Sequence, residues 1–182
     1  ASFYRNTIVH FFLHRAVAEL ALLAVSEIER GEPPLEYFWQ VVRDLRDLFK
    51  FEFFYPDSQR FEDEINTELC RDTPDWRQQI SDDTNNARAL LDKLSPKLGH
   101  MTLTIFAEAY SIGADVLVRE ANTIDGDQDA FVDLCMSFGK QAYLQRRISS
   151  EASIGKLLFA NSWKALMNRG VADSDEGLAQ YA

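Results

Sequence analysis

Residues 3–28 read FYRNTIVHFFLHRAVAELALLAVSEI, and the fold turns on this stretch. Phe3, Ile8, Val9, Phe12, Leu13, Val17, Leu20, Leu22 and Leu23 recur at helical spacing over a broad face. A helix this long, apolar over so wide an arc, belongs at the centre of a core. Gly31 suits the position just past its end, and Pro33-Pro34 stops it. The longest apolar run, residues 16–25, is interrupted by Glu19 and falls short of the roughly 20 residues a spanning helix needs. No membrane crossing is predicted.

The same periodicity continues outward. A second helix is expected from Pro33 or Pro34 through Leu35, Phe38, Trp39, Val42, Leu45 and Phe49. Residues 49–55, FKFEFFY, alternate briefly, which leaves helix and short strand both open. Asp57 or Ser58 can cap a third helix carrying Phe61, Ile65 and Leu69. Residues 71–86 are polar and are expected to form an exposed connection anchored by Trp76 and Ile80. A short helix over 87–94 precedes a longer one through Leu98, Met101, Leu103, Ile105, Phe106, Ala109, Tyr110, Ile112, Val116 and Leu117, apolar nearly all round and so buried. Asp125-Gly126-Asp127 is a turn. Phe131, Leu134, Cys135, Phe138, Ala142 and Tyr143 line the next helix, ending near Ile148. Ser150 or Ser153 caps the last, which closes at Gly170. The expectation is an all-α fold of six or seven helices with at most a minor β element. It forms a single domain over residues 1–182 with an acidic tail at 173–182.

Composition excludes several functions. Hydrophobic residues make up 46 % of the 182, charged residues 26 %, and the formal net charge is −10. Such a field repels a phosphate backbone, and the nearest basic feature, Arg146-Arg147, is only a pair, so no nucleic-acid partner is expected. Cys70 and Cys135 are too few and too far apart for a disulfide framework, and each reads as a small buried hydrophobe.

No complete catalytic motif is present. His10 and His14 stand one helical turn apart, a metal-ligand spacing, but Phe11 occupies the place where a zinc-protease helix carries glutamate. No metal or cofactor is expected. His14 and Glu19 mimic a His-x4-Asp pair, in which the imidazole takes a proton from an attacking hydroxyl and the carboxylate steadies it. On a continuous helix, five residues are about 140° apart, so the two cannot share a face. Ser111-Ile112-Gly113 and Ser137-Phe138-Gly139 lack the flanks of a nucleophile elbow. No catalytic residue is assigned.

Tyr4, Arg5, Asn6, Ile8 and His10 match, position by position, a Tyr-Tyr-Arg-Asn-Asn-Ile-x-His segment of the glycerol-3-phosphate 1-O-acyltransferases. Leu48-Phe49-Lys50-Phe51-Glu52-Phe53-Phe54 is similar to that family's Leu-Lys-x-Glu-Leu-Phe stretch, with Lys50 and Glu52 in register. Leu166-Met167-Asn168-Arg169-Gly170 resembles its closing helix. The chain therefore resembles the helical region that follows the catalytic half, in its actinobacterial form. The hairpin-like wing of the enterobacterial pattern has no counterpart in residues 70–83.

The resemblance implies a parent enzyme moving an acyl chain from acyl carrier protein or coenzyme A to the sn-1 hydroxyl of glycerol 3-phosphate. That step opens phospholipid synthesis, at the cytoplasmic face of the inner membrane, to which the parent is peripheral. It also implies that the His-x4-Asp box and the phosphate-binding arginine belong to the upstream half. Arg5, Asn6 and His10 then become candidate contacts with that catalytic domain. The competing reading is a free-standing helical interaction or ligand-binding module, such as a repressor effector domain.

Overall fold

The computed structural model describes residues 2–27, 33–94, 97 and 99–170, with residues 2–11 and 100 through their backbone only. The fold is all-α. Among the described residues there are eight α-helices, one 3-10 turn and no strand. The helices are α1 (Ser2–Glu27), α2 (Pro34–Leu48), α3 (Ser58–Asp72), α4 (Trp76–Asp82), α5 (Asn85–Lys93), α6 (Gly99–Ile124), α7 (Gln128–Leu144) and α8 (Lys156–Asn168). The 3-10 turn, Glu151–Ser153, lies between α7 and α8. Contacts divide the chain into two compact units, Ala1–Leu48 with Phe53–Leu103, and Phe49–Glu52 with Thr104–Ala182. The acidic tail and Gly31 lie outside the described residues.

In the first unit α1 packs on α2, α3 and α5. Among its described side chains, Leu13, Ala16, Val17, Ala18, Ala21, Leu22 and Val25 are fully buried. The alanines let neighbouring backbones approach closely, and the larger residues fill the space between. Phe38 and Val42 of α2 and Phe61, Ile65 and Leu69 of α3 complete the layer. Asp57 caps α3 as expected, accepting from the Arg60 N–H at 3.0 Å.

The polar stretch 71–86 differs from its reading as an exposed connection. It holds α4 and the start of α5. Trp76 and Ile80 stand one turn apart on α4 and are buried. The Trp76 ring lies 5.0 Å from Phe38 and 5.8 Å from Trp39, and its indole N–H donates to Asn66 at 3.1 Å. Tertiary burial of two side chains holds a seven-residue helix that would not persist alone. The aromatic stretch after α2 is turn and bend, neither helix nor strand, with the Glu52 N–H bonded to the Phe49 carbonyl at 2.9 Å.

In the second unit the later part of α6 packs with α7 and α8. A side chain at Gly113 would have its Cβ 2.8 Å from Ser162 Oγ and 3.2 Å from Phe131, so glycine permits the helix crossing there. Phe131 lies 4.9 Å from Trp163. Residues 101–124 are long and apolar enough to cross a membrane by length and composition, a feature the sequence reading overlooked. Here Leu103, Phe106, Ala109, Ile112, Val116 and Leu117 are buried in the protein. The last helix begins at Lys156 after Gly155. Ser150 caps the 3-10 turn instead, accepting from the Ala152 N–H at 3.1 Å. Gly170 adopts φ 72° and ends α8 as expected.

Candidate functional site

The polar residues of α1 meet a row of carboxylates on α3. Glu64, Glu68 and Asp72 stand four residues apart and so share one helix face. His14 Nε2 lies 2.8 Å from Glu64 Oε2, and Arg60 reaches the other oxygen of Glu64 at 3.0 Å. Arg15 approaches Glu68 at 3.4 Å and Asp72 at 3.0 Å through one nitrogen, and Glu19 at 3.3 Å through another. Only 14 % of the Arg15 side chain is exposed, and a guanidinium so nearly desolvated requires this many acceptors.

Glu19 is buried, and its second oxygen accepts the Gly99 N–H at 2.5 Å. That carboxylate satisfies one of the unpaired amides at the start of α6. His14 on Glu64, and Glu19 on Arg15 and Gly99, thus have different partners. The acidic row was missed in the sequence, although its i, i+4, i+8 spacing was the signal that could have revealed it.

The second unit has its own polar cluster. Glu108 accepts from the Ser149 N–H at 2.6 Å and from Ser153 Oγ at 2.5 Å. Burial alone would raise its pKa, but the hydrogen bonds from Ser153 and the Ser149 amide outweigh it and hold the carboxyl below the ordinary range. Arg147 pairs with Asp115 at 2.6 Å. Tyr110 donates to Glu52 at 3.2 Å and Asn161 to the Phe51 carbonyl at 3.1 Å, fixing residues 49–52 on this unit. Cys135 is buried, which pushes its thiol up to about 12, whereas Cys70 is only half-buried.

Arg5, Asn6 and His10 fall in the first turns of α1, and their side chains lie outside the described residues. Among the described residues, no three His, Cys, Asp or Glu side chains gather into a group that could hold a metal ion. Both polar clusters are arrays of ion pairs and hydrogen bonds, an arrangement suited to fixing helices in register.

Residues 1–175 match the glycerol-3-phosphate acyltransferase C-terminal region. The chain belongs to this family. The resemblance drawn from Tyr4, Arg5, Asn6, Ile8 and His10 is therefore borne out. The family relatives include plsB1, which bears a provisional acyltransferase name, from Mycobacterium tuberculosis and Mycobacterium bovis. Each is 34 % identical over 179 residues, covering 95 % of this chain. The chain spans 28 % of the length of those relatives. No solved structure matches it.

Proposed function

We propose that this C-terminal region is the non-catalytic part of a glycerol-3-phosphate 1-O-acyltransferase. The parent transfers an acyl chain from acyl carrier protein or coenzyme A to the sn-1 hydroxyl of glycerol 3-phosphate in phospholipid synthesis. It works at the cytoplasmic surface of the inner membrane, peripheral to it. Family membership over nearly the whole chain carries the reading. The engagement of His14 with Glu64, and of Glu19 with Arg15 and Gly99, supports a structural role for the chain's one acid–base near-match.

In this reading Arg5, Asn6 and His10 contact the acyltransferase half. A guanidinium, an amide and an imidazole within the first turns of α1 would give that interface directional hydrogen bonds, which fix register more than they add affinity. Arg5→Ala and Asn6→Ala test this in the full-length enzyme and in the 182-residue chain. Acyl transfer by the full-length enzyme should fall at least several-fold, while the melting temperature of the chain stays within a degree or so. Equal destabilisation of both would show that these residues serve the helical region's own fold.

A further inference from the structure

The end of α7 is built in an unusual way. The Arg147 N–H bonds the Ala142 carbonyl at 2.8 Å and the Arg146 N–H bonds the Tyr143 carbonyl at 3.0 Å, the two bonds of a Schellman motif. The residue at its turning point takes a left-handed backbone, and glycine is the usual occupant. Here it is Arg146, at φ 58°. A conformation unfavourable to a side chain is taken here by a long cationic one, and such departures cluster where a side chain has work to do.

The surroundings suit a specific partner. Leu144 is 82 % exposed and Tyr143 40 %. Together with Arg146, Ile148 and Ser149 they line a recess of about 470 Å³. Lys140 stands one turn before Leu144 on the same face and is exposed. Of the nearby carboxylates, Asp115 is paired with Arg147, while Glu108 is hydrogen-bonded by Ser149 and Ser153 and keeps its negative charge. No carboxylate pairs with Arg146 or Lys140 among the described residues.

We propose that this corner docks on an anionic lipid surface, with Arg146 and Lys140 on headgroup phosphates and Leu144 and Tyr143 inserted at the interface. The inference rests on the reading of the parent as a peripheral membrane enzyme and names the surface that makes the contact. Guanidinium groups bind phosphate oxygens through paired N–H donors. Tyrosine favours the boundary between headgroups and acyl chains, and a projecting leucine gains by leaving water. A protein partner would need an acidic group opposite Arg146 and a socket for Leu144 at one place, whereas an anionic bilayer offers phosphate and hydrocarbon across its whole area. The net charge of −10 adds orientation, because an anionic membrane repels most of the chain and Arg146 and Lys140 offer it two cations to approach. A contact this small gives weak, reversible binding that supplements other contacts of the parent.

The test is flotation of the 182-residue chain with vesicles of phosphatidylcholine alone or mixed with phosphatidylglycerol. The chain should partition onto the mixed vesicles, less so as salt is added. Arg146→Gly should weaken that partitioning about fivefold without lowering the melting temperature, since glycine accepts the left-handed backbone. Leu144→Ser should weaken it on the same vesicles. A wild-type chain that stays in solution with both vesicles, or variants that partition like wild type, would overturn the proposal. If the variants float normally but slow acyl transfer by the detergent-solubilised parent, the corner docks a protein surface. The lipid assignment then fails while the proposed function stands. Arg146-dependent flotation of a chain whose parent transfers no acyl group would uphold the corner and sink the function.

Discussion

The Gly99 N–H and the Glu19 carboxylate, 80 positions apart in sequence, meet at 2.5 Å and pin the start of α6 to the middle of α1. The geometry leaves no room for a side chain at residue 99. A Cβ there would lie 2.8 Å from Glu19 Oε2 and 2.9 Å from the Ala16 carbonyl oxygen. Glu19→Ala removes the acceptor of a buried amide and one partner of Arg15, and should destabilise by about 2–3 kcal/mol. Gly99→Ala should cost about 1–3 kcal/mol through overpacking. The double variant should cost less than the sum, because removing the Glu19 side chain relieves one of the two clashes. Denaturant unfolding of the four proteins measures this, and strict additivity would show that the contact is not a coupling point.

Glu108 gives a pH signature. Its folded-state pKa is held below the ordinary glutamate value of 4.5, so the ionised form binds Ser149 and Ser153 more tightly than the acid does. The stabilisation is complete above 4.5 and is lost as pH falls through the depressed folded value. Wild type should exceed Glu108→Gln in stability near neutral pH, and the gap should close as pH drops below that range. A gap independent of pH would mean that the carboxylate's charge contributes nothing.

The two cysteines should differ sharply toward thiol reagents. Reaction requires the thiolate, and burial holds the Cys135 thiol up at about 12. Near pH 8 a folded sample should label Cys70, half-buried beside Asn66, and spare Cys135 until denaturant is added. Mass spectrometry of digested samples reads this out. Rapid labelling of Cys135 under native conditions would indicate local opening of α7.

Helical spacing made α1, α2, α3 and α7 legible, because each buries one apolar face over many turns. α4 was not, since Trp76 and Ile80 stand among Asp72, Asp75, Asp82 and Asp83, and their burial, with the Trp76 ring against Phe38 and Trp39, comes from distant parts of the chain. The end of α7 was read four residues late, at Ile148 instead of Leu144, because a Schellman turn built on arginine lacks the glycine that marks such stops. The partners of His14, Arg15 and Glu19 come from α3 and α6, and a single sequence carries no pairing information at that range. The family was legible in five residues at the head of α1.

The most direct test is an acyl-transfer assay with an acyl thioester and glycerol 3-phosphate, run on three samples. They are the full-length parent, the parent lacking the segment equivalent to residues 1–175, and the 182-residue chain alone. A non-catalytic C-terminal region predicts turnover by the full-length enzyme, a loss of at least tenfold on deletion, and no turnover by the chain above the uncatalysed rate, with or without His14→Ala. Turnover by the isolated chain that disappears in His14→Ala would contradict the account, because it would make the His14–Glu19 near-match a working acid–base pair.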